Sequence, residues 1–307
     1  MKNMLFLFLM ILFTTPLLAR EKPVVIVYSD NNKNYIAPAR AFKDKLARQI
    51  KAYYLGENLS QATATMTNIM KQDPALIFAL GARAAWFSKM ATKNHQRTKV
   101  IFAMVINWQR YDLLGGQNNI MGISSDIAPG IQLFNLGLVS PQVKRVGVIY
   151  SQSHSAETIT QAKKAADLLG LTLSTEPIER ADSFKRAWRK ISSEIDAYWV
   201  LTDPVLYTLE NIYWLNERCL KEKIICIGQS ENITKLGILL SINPDEENIG
   251  IQAAAMAKHV LNGRTETMKK IVTPIATHVT FNRATAEKIG IHVDEQILSL
   301  VNDVVNE

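Results

Sequence analysis

Chemistry-bearing residues are scarce in this chain. It has two cysteines, Cys219 and Cys226, too few for a disulfide framework and without the spacing of a redox or zinc site. One bridge between them in an oxidising compartment and two free thiols are both open readings. Five histidines, His95, His154, His259, His278 and His292, lie scattered without ligand spacing, so no metal site is expected. The dinucleotide fingerprint, the P-loop and the nucleophile elbow are absent; His154 follows Ser151 and Ser153, but closeness in sequence does not make a catalytic pair. No enzyme and no cofactor are therefore expected.

Long apolar runs are missing after the first residues, so the mature protein should be soluble. Met4–Phe13 is uniformly apolar, preceded by Lys2 and followed by Pro16 and Ala19. That core is shorter than the ~20 residues that span a bilayer, which favours a secretory signal over residues 1–19, cleaved after Ala19, with export to the periplasm. No cysteine follows it, so no lipid anchor is expected. Charge of one sign is also modest. The formal net charge is +7 and loses one unit with Lys2; the basic residues from Arg40 to Lys51 are interrupted by Asp44 and spaced around a helix. They describe a solvated face, and a nucleic-acid partner is not expected.

What the chain has is a repeated pattern. Short apolar runs stop at polar or small residues, and helical patterns follow: Val24–Tyr28 stops at Ser29, Leu76–Leu80 at Gly81, Val100–Ile106 at Asn107, Val146–Tyr150 at Ser151, Tyr198–Leu201 at Thr202-Asp203, and Ile224–Ile227 at Gly228-Gln229-Ser230. Continuous rather than alternating apolar runs fit strands buried on both faces of a parallel sheet, which binds ligands beyond its carboxyl strand ends.

The pattern occurs twice. Strands are expected near 23–28, 52–55, 76–80, 100–105 and 120–123, with helices near 36–50, 59–72 and 82–93. After 124–130 come helices near 130–139, 155–169, 182–193 and 205–221, and strands near 146–150, 171–176, 197–201, 224–228 and 237–241. The fold class is α/β, two doubly wound parallel-sheet lobes. Asp245–Leu261 reads as a long helix that returns to the first lobe, ahead of a strand near 278–281 and a helix near 283–288. Residues 20–125 plus 243–275 then form the N-terminal lobe and 126–242 plus 276–307 the C-terminal lobe, with hinge crossings near 124–129, 241–243 and 273–277.

With this order the sequence resembles the ABC-transporter substrate-binding proteins of the tryptophan/tyrosine-binding type, which have a type I periplasmic-binding fold. The landmarks are Ala79-Leu80-Gly81-Ala82-Arg83-Ala84, Asn119 to Ser124, Lys144 to Tyr150, Thr202-Asp203 and Asn248-Ile249-Gly250, and the likeness runs from about Ala75 to the C-terminus. The resemblance implies capture of a small solute, an amino acid or similar molecule, aromatic ones included, in an interlobe cleft, and delivery to an ABC permease by a monomer. A sensing subunit for a membrane receptor would use the same cleft, and an exported enzyme on this fold is the remaining alternative.

The polar stops supply two facing rows of ligand-binding candidates. In the first lobe these are Ser29, Gly81, Ala82, Arg83, Asn107 and Trp108; in the second, Ser151, Ser153, Thr202, Asp203, Gln229 and Ser230, with Asn243 at a crossing. The N–H groups after Gly81 open a helix and suit a carboxylate, with Arg83 either a second carboxylate partner or a surface residue. Asp203 reads equally as partner of a ligand ammonium and as a helix cap before Pro204. Trp108 reads as a stacking residue or as packing. Relatives commonly carry a hydroxyl residue where this chain has Ala82, and Tyr-Asn-Pro where it has Tyr150-Ser151-Gln152.

Overall fold

The computed structural model describes residues 21–264 and 268–306. The expected signal, residues 1–19, lies outside them. The first series is β1 (Val24–Tyr28), α1 (Ile36–Leu46), β2 (Ile50–Tyr54), α2 (Leu59–Met70), β3 (Leu76–Leu80), α3 (Ala82–Thr92), β4 (Lys99–Ala103) and β5 (Ile120–Ile123). The second is α4 (Pro129–Val139), β6 (Arg145–Tyr150), α5 (Gln152–Leu169), β7 (Thr172–Pro177), α6 (Phe184–Ile191), β8 (Ala197–Trp199), α7 (Leu209–Glu222), β9 (Ile225–Gly228), α8 (Glu231–Lys235) and β10 (Leu240–Pro244). The chain ends with α9 (Glu246–Leu261), β11 (Ile271–Val272), β12 (Thr277–Asn282), α10 (Arg283–Ile289), α11 (Glu295–Leu298) and β13 (Asp303–Val305).

Two sheets result. One has the order β11-β5-β4-β3-β1-β2 and is parallel throughout; the other has the order β13-β12-β10-β9-β8-β6-β7, with β12 antiparallel to β10. Buried Val24–Tyr28 and Leu76–Leu80 lie in direct register, Val24 beside Leu76 and Tyr28 beside Leu80. Side chains pointing to opposite faces divide the first lobe into two apolar clusters, one under α1 and α9, the other under α2 and α3. The second lobe is built the same way. There the buried Trp199 indole donates to Gln132 at 2.8 Å, so the polar tip of a core aromatic is satisfied.

Helix ends follow local chemistry. Asn58 and Gln61 form a capping box at α2, Thr208 caps α7, Asp245 caps α9 and Asn282 caps α10. Helix α1 stops at left-handed Ala47, four residues earlier than the pattern to residue 50 suggests, because Ile50 already pairs with Val24. Helix α7 begins at Leu209 rather than near 205, since residues 203–206 fold into a turn around the Asp203 carboxylate. The edge strands β11 and β13 carry too few residues for a periodic signal. Cys219 and Cys226 are bridged, with 6.2 Å between their Cα atoms, tying the end of α7 to β9.

The chain passes between lobes three times: after β5, after β10, and between β11 and β12. Helix α9 packs on α1, and its Gly250 sits against the Pro38 carbonyl, where a Cβ would overlap the oxygen. No helix among the described residues is long and apolar enough to cross a membrane.

Candidate functional site

The carboxyl ends of both sheets border one cavity of about 700 Å³. Its first-lobe wall comes from the loop after β1, with Asn32, Asn34 and Tyr35, and from Met104 and Ile106 after β4. Ser125 and Asp126 enter from the first crossing, Asn243 to Glu247 from the second. The second lobe adds Thr202 after β8 and the segment from Gln229 to Asn232 after β9, and His278 and Asp303 close the rim. A further cavity of about 600 Å³ lies at the amino ends of β6, β8 and β9, lined by second-lobe residues such as Ser192 and Asp196. Movement of the lobes cannot close it.

The first-lobe wall is shaped by local chemistry. Asn32 accepts the N–H of Asn34 at 3.0 Å and starts a 3-10 turn that presents Tyr35. Tyr35 stacks on Tyr28 with centroids 6.3 Å apart; burial first, then the Asp30 charge, raises its pKa, against a lowering by the Ser29 hydroxyl. Met104 adopts φ 59°, in the left-handed region that a flexible apolar side chain rarely occupies, and Asn107 and Asp112 do so in the same loop.

At the helix N-terminus after Gly81, one N–H is taken from within. Ser29 is buried and accepts the Ala84 N–H at 2.9 Å. Gly81, at φ 88°, lets the Tyr35 and Ser29 oxygens come close to its Cα, where a side chain would collide with both. Arg83 donates to the carbonyls of Gly56 at 2.9 Å and Ser29 at 3.3 Å. Both bonds come from Nη1.

The corresponding helix of the second lobe, α5, is occupied too. Asp203, 2% exposed, accepts from the Ser151 N–H at 2.9 Å, the Ser151 hydroxyl at 2.6 Å and the Ser155 hydroxyl at 2.7 Å. Its other oxygen takes the Val205 and Leu206 N–H groups. Burial by itself raises the Asp203 pKa, but these donors outweigh it and the net shift is downward. Glu179 accepts the Gln152 N–H at 2.9 Å and the Ser153 hydroxyl at 2.8 Å. Two of the chain's own carboxylates therefore sit where α5 begins.

The cavity itself is acidic. Burial raises the Asp126 pKa, partly countered by the Ser124 hydroxyl, which donates at 3.1 Å. Burial likewise raises Glu246; His278 opposes that rise, and the charges of Asp245 and Glu231 add to it. Glu231 pairs with Lys235 at 2.7 Å and Asp303 with His278 at 2.5 Å.

Of the residues named from sequence, Thr202, Gln229, Ser230 and Asn243 line the cavity, and Thr202 donates to Gln229 at 3.2 Å. Ser29, Gly81, Ala82, Arg83, Ser151, Ser153 and Asp203 are absent from its lining; Ser29, Arg83, Ser151, Ser153 and Asp203 are engaged in the bonds above, and Ala82 packs against a first-lobe apolar cluster. Asn107 and Trp108 lie further round the β4 loop, where Trp108 packs near Phe102 with centroids 6.3 Å apart. Sequence reasoning missed Asp126 and Glu246 as lining groups. Both stand within or beside segments already read as crossings, so the hinge was the signal that pointed to them.

The family described as ABC transporter substrate binding protein matches residues 41–305. An uncharacterised protein of Rickettsia prowazekii (strain Madrid E) is 23% identical over 265 residues, 84% of this chain and 82% of that protein. Among solved structures, the ligand-free, open form of a substrate binding protein with adhesive properties from Clostridium difficile is similar with a TM-score of 0.72 at 19% identity, covering 93% of this chain and 100% of that one. An ABC domain from Streptococcus pneumonia in complex with L-Trp is similar with a TM-score of 0.59 at 19% identity, over 93% and 100%. These structural likenesses establish the fold.

Proposed function

We propose a function from one premise: the chain belongs to the family of ABC transporter substrate binding proteins. It captures a small solute between its lobes, closes about the three crossings, and delivers the solute to an ABC permease. The observation that carries this reading is the cavity of about 700 Å³ bordered by the carboxyl strand ends of both sheets and by two of the crossings. A ligand there is desolvated from two sides, and each lobe gains contacts only when the other approaches. Capture and release need no bond chemistry.

Thr202, Gln229, Ser230 and Asn243 supply hydrogen bonds to the solute, and Tyr35, Met104 and Ile106 its apolar contact. The residues behind the cavity hold these groups in place. The protein acts in the periplasm as a monomer after loss of residues 1–19, and oxidation of Cys219 and Cys226 fits that compartment.

A thermal-shift screen over amino acids, amines, purines, sugars and short peptides tests this. A solute that binds the folded state raises the midpoint; at a hundred times its Kd it adds about 2.7 kcal/mol. One chemical class should do so with single-site saturation. Turnover of a compound, or no shift with any class, contradicts the reading.

A further inference from the structure

Three observations bear on the charge of a group that the interlobe cavity could hold. The first concerns carboxylates. A helix N-terminus at a strand end is the usual place to hold an anion, yet at α3 the buried Ser29 hydroxyl already takes the Ala84 N–H, and α5 is served by Asp203 and Glu179. Arg83, the cation nearest the α3 terminus, is tied to two carbonyls. The second is the lining. Asp126, Glu231, Asp245, Glu246, Glu247 and Asp303 face the cavity, while Lys and Arg are absent from its described lining. Lys235 and His278 partner two of these acids, and Asp245 caps α9; Asp126, Glu246 and Glu247 have no ion pair among the described residues. The third is the contrast with the molecule as a whole, whose formal net charge is +7. A basic protein that gathers acids around one cavity sets up a local field opposite to its own.

Resting on the reading of this cavity as the solute site, we propose that it takes a small organic amine or guanidine without a carboxylate group. Its cationic head lies toward Asp126 and Glu246, and its apolar body lies against Tyr35, Met104 and Ile106. The carboxylates that burial holds in an uncomfortable charged state gain a counter-ion when such a solute enters. A zwitterionic amino acid would bring a second group, its carboxylate, into the same negative field, where the described lining holds hydroxyl and amide donors but no Lys or Arg to balance its charge.

The test compares each amino acid with its decarboxylated amine by titration calorimetry on the exported protein: L-tryptophan with tryptamine, L-tyrosine with tyramine, L-arginine with agmatine, L-ornithine with putrescine. At least one amine should bind at a single site about tenfold or more tighter than its parent, with affinity falling as salt rises. Glu246→Gln and Asp126→Asn should each weaken that amine about tenfold. The comparison on the unsubstituted protein decides the matter even if a variant folds poorly. An amino acid that binds as tightly as its amine, or an amine indifferent to both substitutions, overturns this inference and leaves solute capture standing. No binding here and none in the broad thermal-shift screen overturns both.

Discussion

At the scale of single residues, placement changes what a polar group is for. Asp203 stands at a strand end, where a ligand contact is expected, but its oxygens are taken by Ser151, Ser155, Val205 and Leu206. Replacing it with alanine should therefore cost about 3 kcal/mol of stability in the ligand-free protein, because buried donors lose their acceptor; denaturant unfolding measures this. Its lowered pKa contributes stability that is present above the usual carboxylate range and is lost as pH falls through the lowered value. Asp203→Asn should flatten that acid limb. Asp126 has the opposite sign. Its raised pKa contributes stability below the usual carboxylate range, lost as pH rises through the raised value. Asp126→Asn should accordingly raise the melting midpoint of the ligand-free protein at neutral pH, which a thermal melt of the two proteins checks.

At the scale of elements, the strand ends were legible and their occupants were not. An apolar run stopping at Ser29, Gly81 or Ser151 is a local pattern, readable because a parallel strand is buried along its length. The partner that fills each helix N-terminus is remote: Ser29 lies 55 residues from Ala84, and Ser151 lies 52 from Asp203. Only the parallel register brings them together. The same holds for α9, whose sequence gives a capped helix but not its seat on α1. Gly250→Ala should lower stability by about 1–3 kcal/mol, since its Cβ meets backbone at Pro38 that cannot turn aside. Reduction of the Cys219–Cys226 bridge should cost about 2 kcal/mol, the amount chain entropy assigns to so short a loop. A reversible shift of the unfolding midpoint on adding dithiothreitol checks it.

At the scale of the molecule, the two lobes, their sheets and the three crossings form a hinge with a cavity at its mouth. The doubled strand and helix series made the two lobes readable from sequence. The acidic character of the cavity was not readable, because Asp126, Glu246 and Asp303 come from three distant segments and look in sequence like turn, helix-start and tail residues. The central claim is that this cavity is where a solute binds, and Thr202→Trp tests it most directly. Thr202 is exposed and lies on the cavity wall, so an indole there fills the space with little cost to folding. Calorimetric titration with a solute that shifts the midpoint of the unsubstituted protein should show single-site binding, and in Thr202→Trp that binding should weaken at least about a hundredfold, the loss expected when a hot-spot pocket is filled. Unchanged affinity in the variant, with its unfolding midpoint intact, would contradict the account.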